Sequence, residues 1–149
     1  MAKGSNQKLK LSYLCKILLE KTDDEHSLTL AQIMKELEKY DTSAERKSLY
    51  QDFFVMKENL DMDVIKEQIG RETYYHIGER EFQLAEVKLL IDAILSSKFI
   101  SKRKSDELIR KMKSFVSEHQ AKQLQRQVYV NDRIKSMNEG TYYAVDSIH

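Results

Sequence analysis

The chain has 149 residues, of which 41% are hydrophobic and 33% are charged, a composition typical of a globular protein with a heavily charged surface and not of a disordered tail. No apolar run approaches the roughly 20 residues of a membrane-spanning helix, and no signal-type apolar block follows the first residues. We therefore expect a cytoplasmic protein without a membrane partner. The single cysteine, Cys15, excludes an internal disulfide and agrees with a reducing compartment.

The absence of proline and the small number of glycines, four, favour helices joined by short polar turns over an all-β fold. Three amphipathic stretches predict three helices before residue 62. The first helix covers Lys8–Lys21, and the second begins with Thr29 as its N-cap. The third has Ser43 as its predicted N-cap. The apolar stripes are Leu11, Leu14, Cys15, Leu18 and Leu19 in the first helix; Leu30, Ile33, Met34 and Leu37 in the second; and Leu49, Phe53, Met56 and Leu60 in the third.

A β-hairpin is predicted after the third helix. Val64–Ile69 and Thr73–Ile77 are rich in β-branched and aromatic residues and flank the turn signal at Gly70 and Arg71. Ser27–Thr29 is predicted as a short extended piece. The order helix, helix, helix, hairpin is that of a winged helix, so we predict a mainly α fold with a winged helix-turn-helix domain over residues 1–79.

Residues 80–149 are predicted to form a helical linker or dimerisation region. Two apolar stripes indicate two helices, the second capped by Ser101 or Ser105, and a short helix follows at residues 118–124. Val128–Val130 is predicted to be extended. Seven cations lie between Lys98 and Lys113, and they are either a solvated outer face or a second phosphate-binding surface. The two stripes are Val87, Leu90, Ile91, Ile94 and Leu95, then Leu108, Ile109, Met112, Phe115 and Val116.

The sequence offers no catalytic residues, no cofactor site and no metal site. Four histidines are widely separated, Cys15 lies on an apolar stripe as a buried structural thiol, and no phosphate-cradling glycine loop is present. We therefore do not expect an enzyme.

The third helix presents a polar face that could enter the major groove of DNA. Placing its apolar stripe on the core leaves Ala44, Lys47, Ser48 and Gln51 pointing away, flanked by Arg46 and Tyr50. The alternative interpretation is an ordinary solvated face.

Phosphate contacts are expected from Lys66 and Arg71 of the hairpin and from Lys3, Lys8 and Lys10. Against this stands the charge of residues 1–79, which hold 12 Lys and Arg against 15 Asp and Glu, whereas residues 80–149 hold 13 against 9. The predicted DNA-binding residues are Ser43, Ala44, Arg46, Lys47, Ser48, Tyr50, Gln51, Lys66 and Arg71.

The run from Ala44 to Phe53 resembles the recognition-helix signature of the DeoR-like winged helix in WYL-domain transcriptional regulators. Arg46, Ser48 in place of a common threonine, Leu49, Asp52 and Phe53 follow that pattern, whereas Gln51 stands where the family usually has arginine. The segments 79–82, 87–93 and 96–101 are similar to the linker helices of the family. The Trp-Tyr-Leu segment is missing, and the chain ends about where that effector domain would begin.

The resemblance implies a bacterial-type, sequence-specific regulator of transcription that binds double-stranded DNA. Its third helix would enter the major groove, and its hairpin would lie on the backbone or in the minor groove. We expect a monomer or a weak homodimer that tightens on a duplex with two half-sites, and an effector ligand is expected only for the missing C-terminal domain. The alternative is a winged helix that binds another protein through Phe54 and Val55.

Overall fold

The computed structural model describes residues 7–126 and residue 128. The fold is mainly helical with one two-stranded antiparallel sheet, which confirms the predicted fold class at this level. None of the described helices combines the length and the apolar character needed to cross a membrane. The chain divides into two compact units, Met1–Arg80 (the first unit) and Glu81–His149 (the second unit).

The first unit contains three α-helices and a hairpin in the predicted order. A 3₁₀ turn at Gln7–Leu9 precedes the first helix. The elements are α1 Lys10–Lys21, α2 Leu30–Glu38, α3 Arg46–Leu60, β1 Val64–Ile69 and β2 Glu72–Ile77.

Each helix of the first unit buries one stripe in a common core, as its apolar spacing predicts. Cys15 is only half-buried, so its prediction as a buried thiol is wrong. It faces the edge of the core, where burial and then the charge of Asp52 raise the pKa of the thiol. The core consists of Leu14, Ile17, Leu18, Leu30, Ile33, Leu37, Leu49, Met56 and Tyr75.

The starts of α2 and α3 differ in how they are capped. Thr29 caps α2 as predicted: its hydroxyl accepts from the Gln32 amide at 3.2 Å, and the Gln32 side chain accepts from the Thr29 amide at 2.9 Å. Ser43 does not cap α3. The N-cap is Glu45, which makes no side-chain capping bond. Thr42 is buried and Ala44 packs against the core, so the chain stays extended for two residues longer than predicted.

The far end of α3 also departs from the predicted stripe. Leu60 is 45% exposed, although its spacing places it in line with Leu49 and Phe53. The helix has 15 residues, about 22 Å of length, and its last turn extends past the cluster that covers Leu49. Asp61 ends the helix in the left-handed conformation with φ 52°.

The hairpin is tight and fully paired. Val64 lies opposite Ile77 at one end and Ile69 lies opposite Glu72 at the other. Gly70, with φ +65°, takes the first of the two turn positions, where a hairpin turn of this kind favours glycine. The Leu28 backbone pairs with Tyr75 on the other edge of β2, with N to O distances of 2.9 and 2.7 Å. The predicted extended piece before α2 therefore joins the sheet.

Arg80 ends the first unit and is anchored there. Its guanidinium donates to the carbonyl oxygens of Leu19 at 2.7 Å and Thr22 at 2.5 Å. Burial lowers the pKa of Arg80, while Asp23 and Asp24 oppose that change. These bonds tie Arg80 to the end of α1 and to the residue that follows it.

The second unit contains α4 Leu84–Ser96, α5 Lys102–Lys113 and further helical residues at 118–126. Ser101 caps α5 by accepting from the Lys104 amide at 3.2 Å, whereas Ser105 is buried inside the helix. Helix α5 ends before Phe115 and Val116, which nevertheless pack from a turn onto the core of the second unit. Val128 is helical, so its prediction as extended is wrong. Tyr129 and Val130 lie outside the described residues. This core consists of Val87, Ile91, Leu95, Ile109, Val116, Leu124 and Val128.

Candidate nucleic-acid interface

A cleft of about 250 Å³ opens where the start of α3, the start of α2 and the hairpin meet. It brings together three residues that the sequence analysis assigns to DNA binding: Arg46 and Tyr50 from α3 and Arg71 from the hairpin turn. The complete lining is Thr29, Leu30, Ala31, Arg46, Tyr50, Arg71, Glu72, Thr73 and Tyr75.

Two tyrosines, Tyr50 and Tyr75, line the cleft, and Phe53 packs on one of them. Tyr75 is buried, and its ring centroid lies 5.3 Å from that of Phe53. Burial first, and then a hydrogen bond with Tyr50, raise the pKa of Tyr75 to about 12, while the positive charge of Arg46 opposes this shift. Both the hydroxyl pair and the Arg46 guanidinium are therefore held close to the same wall.

The start of α2 adds positive potential to this cleft. The Thr29 hydroxyl occupies the Gln32 amide, whereas the amides of Leu30 and Ala31, in the first turn, have no acceptor within the helix. A helix start also carries the positive end of the helix dipole. Glu72 is the acidic residue of the lining, and its carboxylate accepts a hydrogen bond from the Tyr74 hydroxyl at 3.0 Å.

The acidic residues of the first unit that make described contacts mostly do so outside this cleft. Asp52 pairs with Lys10 at 2.7 Å, and Glu36 pairs with Lys39 at 2.9 Å. Asp23 is buried, with one carboxylate oxygen 2.8 Å from His26 Nδ1. None of these three carboxylates lines the cleft. In the described part of the chain, no ion pair joins Arg46 or Arg71 to a carboxylate.

The structure separates the predicted α3 residues into two groups. Arg46, Lys47, Tyr50 and Gln51 are exposed. Ser48 is half-buried and accepts a hydrogen bond from Lys10, so it does not point away from the protein as predicted. The reason is that Ser48 and Asp52, four residues apart, form the flank of α3 that faces α1.

The two predicted residues that precede α3, Ser43 and Ala44, also lie away from its exposed face. Ala44 packs on the core and lies before the helix, which corrects both its predicted position and its predicted direction. Ser43 is exposed in the same loop, and its backbone amide donates to the Gln7 side chain at 3.0 Å. Neither residue belongs to the face of α3.

The predicted phosphate contacts of the hairpin and of α1 have different surroundings. Lys66 is exposed and lies opposite Tyr75 in the register, so both are on the same face of the hairpin. Lys10 is engaged with Ser48 and Asp52. Lys8 is exposed, and Lys3 lies outside the described residues.

Several residues of the cleft were not assigned to a site from the sequence. Thr29 was identified only as a helix cap, and Tyr75 only as a strand residue. The alternation of β2 gives a signal that Thr73 and Tyr75 share one face. No local signal places that face against Arg46, because the two segments are brought together only by the tertiary fold.

Within the described residues, no group of three or more His, Cys, Asp or Glu side chains is placed to hold a metal ion. His76 is buried, with Nδ1 at 3.3 Å from the Ser27 hydroxyl. Comparisons of the chain with family models, with curated proteins and with solved structures found no match.

Proposed function

We propose that this chain is a sequence-specific, double-stranded DNA-binding regulator of transcription, built on a winged helix of the DeoR-like type. In this proposal α3 enters the major groove and the hairpin lies on the backbone or in the minor groove. The observation that carries the proposal is the cleft in which Arg46 of α3 and Arg71 of the hairpin turn lie together with the start of α2.

A DNA phosphate is the chemical group that this cleft suits. Guanidinium groups and helix starts both bind phosphate oxygens, and the tyrosine hydroxyls supply further hydrogen bonds. Arg46 and Arg71 would therefore fix the position of the protein on the duplex. Lys66, on the Tyr75 face of the hairpin, would extend the contact along the backbone.

In this proposal the base sequence of the DNA is read by the exposed residues of α3 that lie beyond the cleft. Lys47 and Gln51 are one helical turn apart and both exposed. Lysine donates to the acceptors of guanine, and a glutamine side chain can bond adenine in a bidentate manner in the major groove. Gln51, which departs from the arginine of the family pattern, thus becomes a base-reading residue in this proposal.

The proposal includes a homodimer, because two α3 helices about 34 Å apart would match two half-sites one helical turn apart. The apolar stripes of α4 and α5 are largely used in packing the second unit. We therefore expect a monomer or weak dimer that becomes a tighter dimer on a duplex with two half-sites. As a bacterial-type regulator that binds chromosomal DNA, the protein would act in the cytoplasm.

A salt titration tests the proposal. Duplex DNA binding is measured at several salt concentrations for the parent, for Arg46→Ala and for Arg71→Ala. Each substitution is expected to weaken binding to all sequences and to reduce the slope of log K against log salt by about 0.9, the value for one phosphate contact. Lys35→Ala, in the last turn of α2 and outside the cleft, is the control and should keep the parent slope. Affinity that does not change with salt, or equal slopes in all four proteins, would refute the proposal.

A second candidate is a winged helix that binds a protein, and the exposure of Phe54 favours it. Val55, its predicted partner in such a contact, is half-buried. In this case the parent would show no salt-dependent affinity for duplex DNA, and Phe54→Ala would abolish capture of the partner.

A further inference from the structure

Phe54 is an isolated apolar side chain at the centre of the polar, accessible face of α3. It is 59% exposed, whereas its neighbours Phe53 and Val55 are both half-buried. At 100° per residue, Phe54 points away from the buried pair Leu49 and Met56. Its aromatic ring therefore adds little to the core and remains available for a binding partner.

The residues that share this face are hydrogen-bonding side chains. Lys47, Gln51 and Phe54 follow one another at spacings of four and three residues, so they lie in one row along the helix. Gln51 and Phe54 are about 4.5 Å apart along the axis, close to the roughly 3.4 Å rise of one base pair. A helix lying in the major groove would bring both side chains to the same base pair or to adjacent ones.

We propose that Phe54 contacts the C5-methyl group of thymine and gives the protein a preference for A·T pairs next to the adenine read by Gln51. This inference rests on the proposed function. In the major groove, the thymine methyl is the apolar feature that distinguishes this base, and phenylalanine is one of the side chains that contacts it.

The polar surroundings of Phe54, as distinct from its exposure alone, favour a base contact over a protein contact. A protein-docking surface needs a contiguous apolar patch, but the residues three and four positions from Phe54 on this helix all carry polar groups; they are Tyr50, Gln51, Lys57 and Glu58. Leu60, an exposed aliphatic side chain of α3, is six residues further on and about 120° away around the helix. One apolar ring among polar side chains matches one methyl group among the polar edges of the bases.

The experiment compares two duplexes that differ only in the methyl group. Binding of the full chain is measured on an alternating dA–dT duplex and on the same duplex with every thymine replaced by uracil. The parent is expected to bind the thymine duplex about fourfold more tightly for each methyl buried against Phe54. Phe54→Ala should bind the two duplexes equally. Leu60→Ala, an exposed apolar truncation on the same helix, should keep the parent ratio.

The outcomes separate this inference from the proposed function. A parent that binds neither duplex refutes both. A parent that binds both duplexes equally, with a normal salt slope, refutes only the thymine contact and leaves Phe54 to a protein partner. A thymine preference that persists in Phe54→Ala assigns the methyl contact to another residue and also refutes the inference. Far-ultraviolet circular dichroism of Phe54→Ala should match the parent, because the side chain lies outside the core.

Discussion

Asp52 is expected to act by holding α3 against α1. Its carboxylate lies 2.7 Å from Lys10 Nζ, and the same ammonium group donates to Ser48. The Lys10 and Asp52 side chains are only 12% and 20% exposed. Replacing Lys10 with Met keeps the aliphatic stem but leaves the half-buried Asp52 carboxylate without its cation and the Ser48 hydroxyl without this donor.

The size of the effect follows from the depth of this pair. Breaking a fully buried pair costs about 3–5 kcal/mol, and exposed pairs contribute about 0–1 kcal/mol. Because solvent still reaches both side chains of the Lys10 pair, we expect Lys10→Met to lower the free energy of unfolding by about 2 kcal/mol. Asp52→Leu should cost less, since the long Lys10 side chain can extend its ammonium group into water. The double variant should recover about 1–2 kcal/mol relative to the sum of the two single changes.

Urea unfolding, followed by circular dichroism, measures these free energies, and an unchanged m-value confirms that the compactness of both states is preserved. Lys39→Met is the matched control, because it breaks the more exposed pair with Glu36, and it should change stability by about 0.5 kcal/mol or less. If Lys10→Met costs no more than Lys39→Met, or if the Lys10 and Asp52 substitutions are additive, the assigned role of Asp52 is wrong.

Two further predictions concern the packing of α3 and of the cleft wall. Leu49→Ala should destabilise the protein by about 2–5 kcal/mol because Leu49 is fully buried, whereas Leu60→Ala should cost well under half as much; equal losses in urea unfolding would contradict the described facing of α3. Tyr75 has a pKa of about 12 in the folded protein against its ordinary value of 10.0, so its contribution to stability is complete below pH 10 and is lost as the pH rises through 12. Phenolate absorbance should show a tyrosine that ionises near pH 12 in the parent and is missing in Tyr75→Phe, and identical titrations of the two proteins would argue against the buried environment of Tyr75.

The polar and apolar residues of α3 divide into those that hold the helix against the rest of the first unit and those that remain available for binding. Leu49 and Asp52 face the protein, and Ser48 joins them through Lys10. Arg46 and Gln51 remain exposed. Ser48→Ala is therefore expected to alter stability more than sequence preference, which distinguishes Ser48 from the base-reading residues in the proposed function.

The sequence by itself determined the types of the five named helices and two strands, because helix and strand formation depend on local spacing, caps and turns. The stripe of α2, its Thr29 cap and the turn at Gly70 were all readable from neighbouring residues, and the structure confirms them. The predicted start of α3 depended on the residues packed around it, and that prediction was wrong. Ser43 has the chemistry of a cap, but the burial of Thr42 and Ala44 delays the start of α3.

Only the tertiary structure decided which side chains of α3 are available and which groups share the cleft. Leu60 follows the same spacing as Leu49, yet it is exposed because the core ends before the last turn. Arg46 and Arg71 are separated by the whole of α3 and by β1, and no local pattern records their convergence. Local propensity acts over a few residues, whereas burial and ion pairing depend on segments far apart in the chain. For this reason the sequence predicts the elements, and packing determines the surface that they present.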